Sequence, residues 1–112
     1  MVPLAACTHL QILLCAGTQV SEVGILAACA KLHTLNCEGT AVSDMGPLSA
    51  CMHLGMLICH NTAVSELGPL SACMRLNVLD CNHNFDVADL GPIAHVSLLM
   101  LYANNTAVSD LQ

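Results

Sequence analysis

The chain has 112 residues, 55% of them apolar and only 9% charged, with eight acidic residues against two basic ones and a formal net charge of −6. That length allows one domain with its own core, and so sparse an ionic surface points to contact with other protein. Lys31 and Arg75 alone cannot neutralise a row of phosphates, which argues against nucleic acid, and no apolar run approaches the roughly 18 residues of a membrane span.

The first segment contains "VPLAAC", which reads like a lipoprotein cleavage box, and "LQILLCAG", which reads like a short signal-peptide core. A secretory signal needs a basic leading region, and residues 1–9 contain no Lys or Arg. The same words also return downstream, as "LAAC" at 26–29 and "LSAC" at 48–51 and 70–73, so they are read as parts of a repeat.

The period is 22 residues. It is carried by Leu4, Leu26, Leu48 and Leu70; by Cys7, Cys29, Cys51 and Cys73; and by Leu13, Leu35, Leu57, Leu79 and Leu101. Cys15, Cys37, Cys59 and Cys81 form the next column, continued by Ala103, then Thr18, Thr40, Thr62, Asn84 and Thr106, and lastly Val20, Val42, Val64, Val87 and Val108. One extra residue near Phe85 and Asp86 lengthens the fourth unit, and one missing residue near Val96 restores the register.

Within each unit the segment LxxLxC, as in "LHTLNC" and "LNVLDC", alternates at its end with the period of a strand buried on one face. The segment "VSDMGPLSAC" follows, with Ser43 as a cap, a break at Gly46 and Pro47, and Leu48, Cys51 and Leu54 at spacings of three. It predicts a turn into a short helical stretch, Pro47 being suited to a first helical position. One strand and one return cannot bury their own apolar side, so the units must stack.

These residues resemble the leucine-rich repeat family, whose core is LxxLxLxxN followed by an apolar position; here it stands as "LHTLNCEGTAV" and "LGMLICHNTAV". The unit length and the endings "VSDMGPL" and "VSELGPL" are most similar to the internalin and SDS22-type class. The joins "CTHL" and "CAKL" resemble the cysteine-containing repeats of F-box proteins. The resemblance covers nearly the whole chain and implies an α/β solenoid, residues 1–112 forming a single array of about five units. Short parallel strands would line the concave face and short helical or 3-10 returns the convex face. Two departures stand out: cysteine replaces the last strand leucine, and threonine replaces most of the asparagines. A threonine offers one hydroxyl where asparagine offers a carbonyl and an amide, so a less complete hydrogen-bond ladder is expected.

Eight cysteines and six histidines raise the question of a metal or disulfide framework, most sharply at "LSACMHLGMLICH". Consecutive strand residues face opposite sides, so Cys59 and His60 cannot hold one metal ion together. The cysteines of one column would lie about 4.8 Å apart in a line, with parallel Cβ atoms unsuited to bridging. Free thiols acting as small buried hydrophobes are expected, with no metal or other cofactor, in a reducing compartment such as the cytoplasm. His9, Lys31, His53 and Arg75 share one loop position and read as a solvated column. Glu22, Asp44, Glu66, Asp89 and Asp110 read as carboxylates stabilising the starts of the returns, or else as a contact for a basic group or cation. The "NNT" sequon at Asn104 is incidental in a cytoplasmic chain.

Residues alternating with the core vary from unit to unit and form the candidate partner-binding surface. They are Ile12, Leu14 and Ala16; Thr34, Asn36 and Glu38; Met56, Ile58 and His60; Val78, Asp80 and Asn82; and Met100, Tyr102 and Asn104. A surface this apolar points to an interface, unless another element of a longer chain covers it. No nucleophile stands beside a base and no glycine-rich phosphate loop is present, so no catalytic residue is assigned. The reading is a non-catalytic protein-interaction module. The alternatives are a structural segment of a larger repeat assembly or, with less support, a thiol-based metal or redox protein. Neither end shows a polar cap, which leads to the expectation of either a longer array or end-to-end self-association.

Overall fold

Leu13, Leu35, Leu57 and Leu79 are each followed two residues later by a cysteine, and a strand that alternates turns both to one side. The computed structural model describes residues 9–19, 24–94, 96, 98–104, 106 and 107. Its strands are β1 (Ile12–Leu14), β2 (Thr34–Asn36), β3 (Met56–Ile58), β4 (Val78–Asp80) and β5 (Met100–Tyr102). They form one parallel sheet in chain order, and the register joins equivalent positions of successive units, as in Leu35 with Leu57 and Leu57 with Leu79.

The register survives the irregular fourth unit, where Leu79 still pairs with Leu101. The added residue lies at the surface beside Phe85, which is 68% exposed, while Val87, Ile93 and Val96 keep their core places. The correction comes after Val96. The Leu98 amide donates to the carbonyl of Val96, two residues back, whereas Leu76 reaches Cys73, three back. Both length changes are absorbed between β4 and β5.

The returns are 3-10 helices at Gly24–Ala28, Gly46–Ala50, Gly68–Ala72 and Gly91–Ile93. Runs this short favour the tighter i to i+3 pattern, seen where the Leu48 amide donates to Met45 and Cys51 to Leu48. Pro47, Pro69 and Pro92 occupy the first turn, where a missing N–H costs nothing. Of the two caps the sequence offers, the structure uses the carboxylate. The Gly46 amide donates to the Asp44 carboxylate at 2.7 Å, not to Ser43, and Gly91 donates likewise to Asp89. An Asp two residues ahead closes this ring as an Asx turn, which a serine does more weakly. The acidic column thus caps the returns at Asp44 and Asp89; Glu22 and Asp110 lie outside the described residues.

Strands and returns contribute opposite sides of one core. Leu35, Cys37, Leu57, Cys59, Leu79 and Cys81 meet Leu48, Cys51, Leu70 and Cys73, all at 0% exposure. All seven described cysteines are buried, as the sequence implies, and Cys15, Cys37, Cys51, Cys59, Cys73 and Cys81 are free thiols. Those on the returns do more than fill space. Cys51 Sγ donates to the carbonyl of Leu26 at 3.3 Å and Cys73 Sγ to that of Leu48 at 3.4 Å, weak bonds between neighbouring returns that a leucine could not make.

The threonine column does not leave the ladder incomplete. Thr40 and Thr62 donate to the carbonyls of Cys37 and Cys59, three residues back, and close their own turns. Asn84 instead reaches across units: its amide nitrogen donates to the Cys59 carbonyl at 2.9 Å and its oxygen accepts from the Thr62 amide at 2.8 Å. No buried side-chain nitrogen or oxygen among the described residues lacks a partner.

Candidate functional site

The outward sheet face is built by alternation. Leu35, Leu57 and Leu79 are buried on the inner side and Leu13 packs against the same core, while Leu101 at the equivalent place on β5 is 39% exposed; three columns remain outside. The first holds Ile12, Thr34, Met56, Val78 and Met100; the second Leu14, Asn36, Ile58, Asp80 and Tyr102. The third, Ala16, Glu38, His60, Asn82 and Asn104, lies beyond the strand ends yet is held by the same ladder. The Gly17 amide donates to Glu38, Gly39 to His60, Asn61 to Asn82 and His83 to Asn104, each between 2.8 and 3.1 Å.

Just after the third column the chain turns through a left-handed residue in the first four units: Gly17, Gly39, Asn61 and His83, with φ between 54° and 68°. Glycine and asparagine tolerate that conformation, and His83 carries its steric cost. The pattern G, G, N, H at one repeat position was the available sequence signal for this turn, and periodicity of apolar residues alone does not find it.

All fifteen of the outward residues named from the sequence, Ala16 included, lie on this one face. Ile12 and Leu14 on the β1 flank are 58% and 69% exposed, and Met100 and Tyr102 on the β5 flank 47% and 39%. The central Thr34, Asn36, Met56, Ile58, Val78 and Asp80 are half-buried by their neighbours, as are Glu38, His60 and Asn82, and Asn104 is exposed. The first column is therefore almost wholly apolar and the third wholly polar beyond Ala16.

The polar side chains are joined, a feature that residue types alone do not reveal. His60 Nε2 lies 2.5 Å from Glu38 Oε2 on one neighbouring coil, and His60 Nδ1 lies 3.0 Å from Asp80 Oδ2 on the other. Asp80 Oδ1 also accepts from the Asn82 amide, and Asn82 Oδ1 from the Asn104 amide. A line of polar contacts thus crosses four coils. A neutral imidazole donates to one of its two carboxylates and an imidazolium to both. The flanking thiols Cys59 and Cys81 are on the opposite face and buried, so this line carries hydrogen bonds and charge with no nucleophile beside it.

The same burial settles the character of the thiols. Desolvation raises Cys37 to about 12 and Cys51 and Cys81 to about 11, from an ordinary 9.0, and raises Cys59 in the same sense. Among the described residues no group of three or more His, Cys, Asp or Glu is placed to hold a metal ion. His53 is exposed on the loop side and meets Arg75 there at 2.9 Å, far in role from the buried Cys51 beside it. No described helix is long and apolar enough to cross a membrane.

No family model and no curated protein matches this sequence. Solved structures do. An internalin, InlF, of Listeria monocytogenes superposes on 97% of the chain with a TM-score of 0.93 at 24% identity. The chain has the leucine-rich repeat fold. InlJ of the same organism, whose functional domain includes a cysteine ladder, matches over the full chain with a TM-score of 0.83 at 18% identity. The plant peptide hormone receptor RGFR1, solved in complex with RGF2, matches over 94% of the chain with a TM-score of 0.77 at 13% identity. The chain spans 32%, 29% and 18% of the lengths of these three proteins, and at such identities the likeness is one of fold. In this leucine-rich repeat the strand cysteines 15, 37, 59 and 81 form one column and the return cysteines 29, 51 and 73 a second.

Proposed function

We propose that this leucine-rich repeat is a non-catalytic protein-interaction module that engages a protein partner through the outward strand face. The observation that carries the reading is the pairing of a closed core with an open apolar face, where Ile12, Leu14, Met100 and Tyr102 remain exposed beside Met56, Ile58 and Val78. Large exposed apolar patches on folded domains mark interfaces. The RGFR1 complex supports a protein or peptide as the class of partner for this architecture. Affinity capture tests it. Met56→Glu and Tyr102→Ala, checked for folding by circular dichroism, should each reduce recovery of a captured partner about tenfold or more, as expected for a charge placed at the centre of an interface and for an aromatic anchor truncated on its flank. Unchanged recovery with both variants sinks the reading.

We further propose a reducing compartment such as the cytoplasm, supported by seven buried cysteines that serve packing. Protein purified without reductant and then denatured should titrate with all eight thiols. A count of six or fewer would show disulfide formation and count against that compartment.

A further inference from the structure

The strand face is uneven in charge as well as in polarity, and that unevenness narrows the partner. Its charged side chains are Glu38, His60 and Asp80, drawn together across β2, β3 and β4. Two carboxylates share one imidazole, so the group has a formal charge of −2 with His60 neutral and −1 with it protonated; it is negative in either state. The chain's two permanent cations do not offset it, because Lys31 and Arg75 occupy the loop column before the strands and Arg75 is engaged with His53.

The hydrogen-bonding capacity is uneven too. Asp80 uses one oxygen for the Asn82 amide and the other for His60. Glu38 holds His60 through Oε2 alone; its other oxygen bonds nothing among the described residues, and its side chain remains 35% exposed. Beside this group, toward the start of the strands, lie Met56 and Val78, half-buried and apolar.

Resting on the reading that this face binds a partner, we infer that the partner is a protein segment presenting an arginine to Glu38 and Asp80 next to a large apolar side chain that packs on Met56 and Val78. Arginine suits the site better than lysine. Its planar fork can address a carboxylate through two parallel bonds, and its weaker hydration lets it lie against apolar surface. A segment with an acidic residue at that place is repelled by the same pair, so the face selects as well as attracts.

Two immobilised peptide arrays test this, identical in their apolar, serine and glycine positions and differing only in a central Arg or Glu. The full chain should bind the Arg array on the order of tenfold or more tightly, the scale of one charge-assisted bond, and the preference should shrink in raised salt. Glu38→Gln, alone and combined with Asp80→Asn, should bring the two arrays together while binding through the apolar residues persists. The single variant guards against any loss of folding in the double. Equal binding to both arrays that is still abolished by Met56→Glu overturns the arginine inference and leaves the proposed interaction face standing. Binding that ignores Met56→Glu overturns the reading of the face itself and the inference with it, and a chain that binds neither array overturns the inference.

Discussion

Between pH 9 and pH 12 the folded chain should lose most of its stability, and the cause is its thiols. Burial raises Cys51 and Cys81 from 9.0 to about 11 and Cys37 to about 12, with Cys59 raised in the same sense. Above 9.0 an unfolded chain releases these protons while the folded chain retains them, so the folded state binds more protons and stability falls as pH rises. The contribution is fully present below 9.0 and is lost progressively until the pH passes the folded values. At about 1.4 kcal/mol per unit, Cys81 alone costs about 3 kcal/mol by pH 11. Cys37 and Cys51 act in the same range and in the same direction, and a loss of a few kcal/mol is a large fraction of the stability of a small domain, about 5 to 15 kcal/mol. Thermal melts followed by far-ultraviolet circular dichroism across this range would show it as a steep fall in Tm. Replacing Cys37 and Cys81 together by alanine should flatten that fall, although it lowers stability at neutral pH. A Tm that stays level from pH 8 to pH 11 would refute the assignment.

Asn84→Ala should cost about 2 to 4 kcal/mol, the largest effect expected from any single polar residue of the core. Asn84 is 0% exposed and serves two coils at once. Its removal leaves the Thr62 amide without its partner, at about 1 to 3 kcal/mol, and takes one of two donors from the Cys59 carbonyl, which keeps the Thr62 hydroxyl, at about 1 kcal/mol more. For a domain of this size the Tm falls by roughly 10 °C or more. The equivalent Thr40→Val loses only a bond within its own turn and should cost about 1 kcal/mol. Urea titrations of the two variants and of Asn84→Ala combined with Thr62→Val give the coupling directly. Equal costs for Asn84→Ala and Thr40→Val would mean that the cross-coil bonds contribute nothing beyond the local turn.

Asn84 also shows where reading a sequence stops. Its column position is plain from the 22-residue period, yet the four threonines at equivalent places bond the carbonyl three residues back on their own coils while it spans to the preceding coil. Side-chain length decides this: the hydroxyl bonds the carbonyl three residues back, whereas the longer amide crosses the gap of about 4.8 Å between strands to reach the backbone of the preceding coil. The sequence offers two caps for one return, Ser43 and the acidic-column residue Asp44, and only the backbone path shows that Asp44 meets the Gly46 amide.

Apolar periodicity by itself determined the units, the register of the sheet, the burial of both cysteine columns and the side on which Met56, His60 and Tyr102 emerge. Each follows from alternation within a strand and from one repeat length, properties of residue order alone. Tertiary structure decided what those outward residues do to one another. Glu38, His60 and Asp80 belong to three different coils, and their two carboxylates close on one imidazole because in-register stacking sets them a strand spacing apart with side chains long enough to meet. The leucine-rich repeat was therefore readable as a scaffold from its order, while the charged group on its face exists only once the coils are stacked.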